Sequence, residues 1–371
     1  MRLGVLTGGG DCPGLNALIR GLVKRGIHEF GHEFVGIENG YMGLIEPEMA
    51  SPLTRDQTRG ILPKGGTILG TSNKANPFSY AVKEGGRWAE KDLSDVAIRR
   101  CQELKLDGLV AVGGDGTLSI AHKLAQKGLK VVGCPKTIDN DLSGTDQTFG
   151  FDTARAICTD AVDKLHTTAE SHDRVMVLEV MGRYAGFLAL ESGLAGGADI
   201  ILIPEIAYRV EPLVERIHKR GTRKRSFSIV VVSEGACPVG GGLSVVEKAE
   251  DVPGRGVVRL GGAGKVAADL LCKHIEAEIR VTVLGHLQRG GGPTAADRLL
   301  ATRYGCKVLD LVRDGQWDHM VALRGGDVVA VSLAESKKER RVDPRGEMVR
   351  FAKSLGITFG DEQLEVGGSG G

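Results

Sequence analysis

The sequence predicts an α/β fold in which parallel strands alternate with helices. Short apolar runs of strand length alternate with segments whose apolar residues recur at helical spacing, and this alternation is typical of parallel sheets. The chain has 371 residues, which predicts about two domains at roughly 150 residues each. Glycine-rich turns follow several predicted strands, at the sheet edge where such folds bind ligands.

The predicted strands fall into two series along the chain. The first comprises residues 3–7, 108–112 and 130–133, and the second comprises residues 174–181, 198–204, 227–235 and 280–285. Helices are predicted between them, for example from Leu15 to Ile27, where apolar residues recur at i, i+3, i+4 and i+7. Residues 237–264 are predicted to be a glycine-rich loop without chemistry, and residues 367–371 a flexible tail.

The composition excludes several functional classes. Lys and Arg total 48 and Asp and Glu total 47, so the net charge of +1 gives no general attraction to nucleic acids or anionic membranes. Aromatic residues make up only 4%, too few for platforms that stack single-stranded nucleic acid. No apolar run reaches the ~18 residues that span a bilayer. The seven cysteines include no CxxC pair, which argues against a zinc site or a disulfide framework. We therefore expect a cytoplasmic protein without nucleic-acid or membrane partners.

Glycine is the abnormal component, with 55 of 371 residues, about twice its usual share. Two glycine-rich loops join a predicted strand to a predicted helix, GGGDCPG at 8–14 and GGDGT at 113–117. Such loops let phosphate groups approach the N–H groups at a helix N-terminus. Asp115 in the second loop also suggests Mg²⁺ bridging to phosphates. The alternatives are a tight turn for the first loop and an N-cap aspartate for the second.

The segment PKTIDND at 135–141 is the most informative. Asp139 and Asp141 have same-side spacing in a predicted extended loop, next to Lys136 and Thr137. One carboxylate could accept a hydroxyl proton while the other organises a metal ion, and the Lys or Thr side chain could stabilise transferring phosphoryl oxygens. The alternative is an Asx-rich turn.

In the second half, polar and basic residues stand near predicted strand ends. Arginine forks suit a phosphate monoester, and a carboxylate could accept sugar hydroxyls. Each residue alone is typical of a surface salt bridge, whereas their coincidence at matching strand ends favours a ligand site. The residues are Arg174, Met181, Gly182, Arg183, Glu234, Arg280, His286 and Arg289.

Seven sequence blocks together resemble the 6-phosphofructokinase family. They are GGDCPGLN at 9–16, GGTILGTS at 65–72, GGDGT at 113–117, PKTIDND at 135–141, EVMGRYAG at 179–186, SEG at 233–235 and TVLGHLQRGG at 282–291. The resemblance covers nearly the whole chain and implies two similar Rossmann-like three-layer α/β domains with the active site in the cleft between them. Residues 1–150 plus about 288–340 are expected to form the phosphoryl-donor domain. Residues 151–287 plus about 341–366 are expected to form the sugar-phosphate domain.

The resemblance also implies a reaction, the phosphorylation of fructose 6-phosphate at its 1-hydroxyl group. Asp139 matches the family's catalytic base, with Lys136, Thr137 and Arg183 as further catalytic residues, and Asp115 matches the Mg²⁺-associated acid. Nucleotide phosphates are expected at Gly10, Asn73, Lys74, Gly114, Asp115, Gly116 and Thr117. Sugar-phosphate contacts are expected at Thr137, Asp139, Met181, Gly182, Arg183, Glu234, His286 and Arg289. Arg174 and Arg280 are expected to reach a neighbouring subunit's active site, which implies a homodimer or homotetramer.

The phosphoryl donor in this family is ATP or pyrophosphate, and two residues point in opposite directions. Gly116 is the ATP-type residue, because pyrophosphate-type members usually carry an aspartate there, whose bulk and charge oppose the nucleotide α-phosphate. Lys136 is typical of pyrophosphate users but excludes neither donor. We therefore predict ATP as the donor, with a pyrophosphate-dependent enzyme as the alternative.

Some features depart from the short bacterial members of the family. Lys74 stands where an arginine bridges donor and product phosphates. Arg20, Lys24 and the basic run at 219–225 align roughly with the bacterial effector site, in which His166 replaces an arginine. The run is more typical of a solvated loop, which is the alternative to an effector site. The segment 237–264 resembles an insertion of the longer bacterial members, a group of mixed donor use.

Two other functions remain as alternatives. NAD kinases and diacylglycerol-type lipid kinases also carry GGDGT, but they lack PKTIDND and GHLQRGG. A regulatory subunit with a dead site is the non-enzymatic alternative. The intact Asp115, Asp139 and Arg183 argue against it.

Overall fold

The computed structural model describes residues 1–85, 87–221, 227–247 and 259–362. Most of the basic run at 219–225, the middle of the 237–264 segment and the tail at 367–371 lie outside these residues. The chain divides into two compact units. Unit 1 holds Met1–Thr153 and Arg289–Arg340, and unit 2 holds the described residues within 154–248, 258–288 and 341–371. The donor and sugar-phosphate roles assigned to the two halves stay predictions.

Strands and helices alternate along much of the chain. The strands are β1 (Arg2–Thr7), β2 (Glu33–Ile37), β3 (Ala50–Pro52), β4 (Tyr80–Glu84), β5 (Arg87–Lys91), β6 (Gly108–Gly113), β7 (Val131–Thr137), β8 (Phe149–Gly150), β9 (Val175–Val180), β10 (Ile200–Leu202), β11 (Ser228–Ser233), β12 (Val245–Glu247), β13 (Arg259–Leu260), β14 (Ile279–Val283), β15 (His319–Arg324) and β16 (Asp327–Ser332). The helices are α1 (Leu15–Phe30), α2 (Ser94–Glu103), α3 (Asp115–Gln126), α4 (Phe151–His172), α5 (Phe187–Ala195), α6 (Val210–Gly221), α7 (Ala263–Leu271), α8 (Ala295–Arg313) and α9 (Glu347–Ser354).

The sheet of unit 1 has the strand order β16-β15-β7-β6-β1-β2-β3, with β8 beside β7. Its central strands pair in parallel, and β3 and β16 are antiparallel to their neighbours. The register places Thr7 opposite Val112, and Val112 opposite Cys134. Because these three strands run in one direction, the loops that follow β1, β6 and β7 leave the same sheet edge. Strand β6 is buried throughout, as expected for a parallel strand covered on both faces.

Unit 2 is built on a smaller parallel sheet with the order β10-β11-β9-β14. Glu179 in β9 lies opposite Val232 in β11 and Val283 in β14. The loops after these three strands therefore also share one edge. Strand β14 is the outermost strand on its side, and its residues Arg280 and Val283 are exposed.

The predicted α/β class is confirmed, and each of the seven predicted strands is present. Two expectations need correction. Residues 135–137 end strand β7 instead of opening an extended loop, because their backbone continues to pair with β6 and β8. The predicted loop at 237–264 includes the antiparallel pair of β12 and β13 and the start of α7. No helix among the described residues is long and apolar enough to cross a membrane.

Candidate active site

The two glycine-rich loops of unit 1 meet at the side chain of Thr117, which is buried. A Cβ on Gly8 would lie 2.6 Å from Thr117 Oγ1, and one on Gly113 would overlap Thr117 Cβ. The loops are also joined through the backbone, because the Gly8 N–H donates to the Val112 carbonyl at 2.9 Å. Glycine at positions 8 and 113 is therefore required by packing inside the protein.

Gly116 differs from these glycines. In the described part of the chain, and apart from its own helical turn, a Cβ on Gly116 would meet no atom within 4 Å. Gly114 precedes α3 as its N-cap residue, and Gly116 lies in the first turn, where the backbone is helical. Glycine in a helix costs ~0.5–1 kcal/mol relative to alanine. The fold gains nothing from glycine at 116, so the space beside it is open to a ligand.

A third loop is tied to the first by two hydrogen bonds. The Thr71 hydroxyl donates to the Gly9 carbonyl at 2.6 Å, and the Gly9 N–H donates to the Ser72 carbonyl at 3.0 Å. Asn73 and Lys74 follow directly and are exposed. The two residues before Asn73 and Lys74 are thus tied to the first glycine-rich loop.

Two cations lie against the Gly10–Asp11 segment. The Lys136 ammonium group is buried and donates to the Gly10 carbonyl, and the Arg289 guanidinium donates to the Asp11 carbonyl at 3.2 Å. Burial lowers the pKa of Lys136, and the positive charge of Arg289 acts in the same direction. A Cβ on Gly10 would lie 2.7 Å from Arg289 Nη1. In unit 1, Arg289 therefore contacts the predicted donor loop, although the resemblance assigns it to the sugar phosphate.

The carboxylates after β7 lie on a turn. Asn140 has a left-handed backbone with φ of 55°, so the predicted same-side spacing in an extended loop is wrong. The Asp139 N–H donates to Thr137 Oγ1 at 3.1 Å, and Thr137 also bonds the Asp141 side chain. Burial, together with the negative charges of Asp139 and Asp115, raises the pKa of Asp141 to about 7. The structure therefore brings the three predicted carboxylates into one electrostatic cluster.

This cluster fits a Mg²⁺ ion that is bound together with phosphates. Within the described ranges, no three His, Cys, Asp or Glu side chains form a complete metal cage. Mg²⁺ does not require one, because it is usually held by one or two carboxylates and completes its shell with water and phosphate oxygens. Burial is the main cause of the raised Asp141 pKa, and the repulsion from Asp139 and Asp115 that adds to it is what a divalent cation would relieve.

In unit 2, the turn after β9 is strained and held from outside. Gly182 has φ of 132° and Arg183 has φ of 42°, a left-handed conformation that is uncommon for a residue with a side chain. The Arg183 N–H donates to Glu234 Oε1 at 3.3 Å. A Cβ on Gly235 would overlap the Arg183 carbonyl oxygen. Glu234 and Gly235 of the SEG block therefore support the MGR turn.

The remaining predicted residues of unit 2 lie at opposite ends of the parallel strands. Arg174 precedes β9 and Arg280 lies near the start of β14, and both pair with Glu278. Met181 and the exposed His286 follow the other ends of these strands. The expectation that all these residues share matching strand ends is wrong, because six residues of strand separate the groups by roughly 20 Å.

Sequence reasoning missed several residues that shape these loops. Tyr41 is buried, and its hydroxyl donates to the Thr117 carbonyl at 2.8 Å. Asn16 donates to the carbonyls of Lys64 and Gly65 at 3.2 Å. Asn16 closes the GGDCPGLN block, so its place in a motif was a usable signal. Tyr41 lies outside all seven blocks.

A basic pocket of about 280 Å³ lies elsewhere in unit 1. It is lined by Arg20, Lys24, Arg55, Asp56, Thr58, Arg59 and Gly60. Its two predicted members, Arg20 and Lys24, are thus joined by two further arginines, which suit a phosphorylated anion. In unit 2, His166 Nε2 is hydrogen-bonded to the Gly196 carbonyl at 2.7 Å, and Arg220 forms an ion pair with Asp199.

Loops of this kind, with cations and carboxylates beside glycine-lined space, are typical of proteins that bind and transfer phosphoryl groups. The family model described as phosphofructokinase matches residues 2–312. The chain therefore belongs to the phosphofructokinase family, and the resemblance seen in the sequence is confirmed.

Some relatives of the chain are named for ATP as the donor and others for pyrophosphate. The chain is 49% identical to the ATP-dependent 6-phosphofructokinase 2 of Clostridium perfringens, over 97% of this chain and 98% of that protein. It is 48% identical to the pyrophosphate–fructose 6-phosphate 1-phosphotransferase of Streptomyces coelicolor, over 97% of this chain and 100% of that protein. A solved phosphofructokinase from Saccharomyces cerevisiae superposes with a TM-score of 0.76 at 30% identity. That match covers 91% of this chain but only 45% of the longer yeast chain.

Proposed function

We propose that the protein is an ATP-dependent 6-phosphofructokinase. It transfers the γ-phosphoryl group of ATP to the 1-hydroxyl of fructose 6-phosphate and releases fructose 1,6-bisphosphate and ADP. Family membership supports the sugar substrate. Overall identity does not choose the donor, because ATP-named and pyrophosphate-named relatives are nearly equally similar, at 49% and 48%. The open space beside Gly116 carries the choice of ATP.

In this proposal, unit 1 binds the phosphoryl donor. The N–H groups at the start of α3 and the Gly10 segment receive the nucleotide phosphates, with Thr117 fixing both loops. Lys74 and Lys136 add positive charge. Asp115 would hold Mg²⁺ together with the phosphates, and that ion supplies charge neutralisation at the transferring group.

Asp139 accepts the proton of the 1-hydroxyl as this oxygen attacks the γ-phosphorus. The Thr137 hydroxyl, which accepts a hydrogen bond from the Asp139 N–H, fixes the backbone beside the base. A positioned general base contributes ~10²–10⁴-fold to the rate. Arg183 offsets the charge that builds on the phosphoryl oxygens.

Fructose 6-phosphate is held by Met181, Gly182, Arg183, Glu234, His286 and Arg289 in this proposal. Arg174 and Arg280 bind the sugar phosphate of a second copy, in a homodimer or homotetramer with shared sites. Their position at the opposite edge of the sheet supports this assignment, because they do not join the other sugar contacts of their own unit. Exposed Val283 and Leu287 near the end of β14 supply apolar area for the subunit contact.

The basic pocket at Arg20 and Lys24 is proposed as an effector site for a phosphorylated anion. We also propose a cytoplasmic location, in keeping with the seven cysteines, which all lie in the described residues as free thiols.

Parallel assays of the purified protein test the function. We expect fructose 1,6-bisphosphate to form with ATP and Mg²⁺ faster than with pyrophosphate and Mg²⁺. NAD and diacylglycerol replace the sugar in matched assays and are expected to give no product. Phosphorylation of NAD without phosphorylation of fructose 6-phosphate would overturn the proposal, and so would a clear preference for pyrophosphate.

A further inference from the structure

Gln288 is a fully buried glutamine that joins two loops of unit 2. Its Oε1 accepts hydrogen bonds from the Met181 N–H and from the Cys158 thiol, each at 3.1 Å. Its Nε2 donates to the Gly285 carbonyl, also at 3.1 Å. The two ends of one carboxamide therefore hold the start of the 181–183 turn and the start of the 285–289 turn.

Both of these turns need such support. Gly182 and Gly285 have φ values of 132° and 49°, conformations that glycine reaches easily and also leaves easily. Arg183 follows in a left-handed conformation, and a residue stays in such a conformation only when its surroundings over-determine it. Glu234 fixes the Arg183 N–H, and Gln288 fixes the entry to the turn through the Met181 N–H.

The orientation of the carboxamide is itself determined. The Gly285 carbonyl can accept only from the nitrogen, and the Met181 N–H can donate only to the oxygen. These two partners fix the orientation, and the Cys158 thiol donates to the same oxygen. Rotating this buried amide, or removing one of its partners, would leave buried polar groups without hydrogen bonds, which is costly.

We propose that Gln288 is a positioning residue for the sugar phosphate. It sets the MGR turn and the turn that carries His286 at a fixed separation, so that their contacts with fructose 6-phosphate form together. This inference rests on the proposed function, because it assigns the two turns to the sugar phosphate. Gln288 itself contacts no substrate in this scheme.

Steady-state kinetics of Gln288→Met test the inference. Methionine keeps the length of the side chain but removes the donor and the acceptor. We expect KM for fructose 6-phosphate to rise about tenfold, as loosened binding groups predict, while KM for ATP stays within about twofold because the donor loops of unit 1 have their own hydrogen bonds. Gln288→Glu keeps an acceptor for the Met181 N–H, but it buries a charge and sets a carboxylate oxygen against the Gly285 carbonyl, so its KM for the sugar should rise at least as much.

Ser192→Ala is the matched control. Ser192 is buried in α5 and donates to the Leu188 carbonyl within the same helix. Its loss should lower the melting temperature without changing either KM. Unchanged sugar KM in both folded Gln288 variants, or a parallel rise of both KM values, would overturn the positioning role. Wild-type protein is assayed beside them: if it fails to phosphorylate fructose 6-phosphate, the proposed function falls first, and this inference falls with it.

Discussion

The side chain of Thr117 occupies the space that a Cβ on Gly113 would need, so these two residues can coexist only because Gly113 is glycine. Three residues later, the reverse holds at Gly116, where the described structure leaves room for a side chain. One motif thus contains a glycine that the packing requires and a glycine that the packing does not require.

Stability measurements should separate these two glycines. Gly113→Ala forces a methyl group onto Thr117 and should destabilise the protein by about 1–3 kcal/mol. Gly116→Ala should instead stabilise it by about 0.5–1 kcal/mol, because alanine is the better helix former. Urea unfolding of both variants measures the difference. Equal effects of the two substitutions would contradict the packing described for Thr117.

Replacing the proposed base should affect turnover more than binding. Asp139→Ser removes the proton acceptor and should lower kcat at least ~100-fold. Rapid quench of product formation measures the step, and circular dichroism verifies the fold. Turnover at the wild-type rate would refute the assignment of Asp139 as the base.

The support of Arg183 by Gly235 predicts a specific loss of sugar affinity. A methyl group at position 235 would overlap the Arg183 carbonyl oxygen, so Gly235→Ala should displace the turn and raise KM for fructose 6-phosphate roughly 10–100-fold. Gly242→Ala is the control, since a Cβ there meets no atom within 4 Å among the residues described. Similar KM values for the two variants would show that the turn does not depend on Gly235.

Thiol labelling should follow burial. Burial raises the pKa of Cys12 to about 12 and that of Cys158 to about 12, whereas Cys272 is exposed. The thiolate reacts and forms only as the pH approaches the pKa, so at pH 8 iodoacetamide should label Cys272 and leave Cys12 and Cys158 intact. Peptide mass spectrometry measures this, and protein in urea should label at all three positions. Rapid labelling of Cys12 in the native protein would contradict its burial.

The sequence predicted the parallel strands well because both sheets have buried central strands, which appear as short continuous apolar runs. It missed strands β4 and β5, whose residues are largely half-buried or exposed and therefore carry no apolar run. It also missed β16, which is the outermost strand of the first sheet, and it missed β2 and β15 although both are largely buried. Short apolar runs therefore identified most of the central strands, but not the exposed hairpin or every buried strand.

The site residues were predicted by motif, but their contacts were not. Asn140 turns the chain between Asp139 and Asp141, and a left-handed residue cannot be deduced from alternate spacing. The bond from Gln288 to Met181 joins residues 107 positions apart, and only the folded chain brings them together. The different environments of Gly113 and Gly116 likewise depend on the position of Thr117 and on the helix, so the sequence of the motif alone does not distinguish them.

Gly116→Asp tests the central claim most directly. The aspartate fits the fold and favours the first helical turn, where acidic residues are stabilising, so the melting temperature should stay the same or rise. Its carboxylate would oppose the nucleotide α-phosphate, so kcat/KM with ATP should fall roughly 10–100-fold, while turnover with pyrophosphate stays unchanged or increases. Gly116→Ala adds bulk without charge, so its kcat/KM with ATP should fall less than that of Gly116→Asp. An Asp variant that is folded and uses ATP as well as the wild type would contradict the role of Gly116 in donor choice.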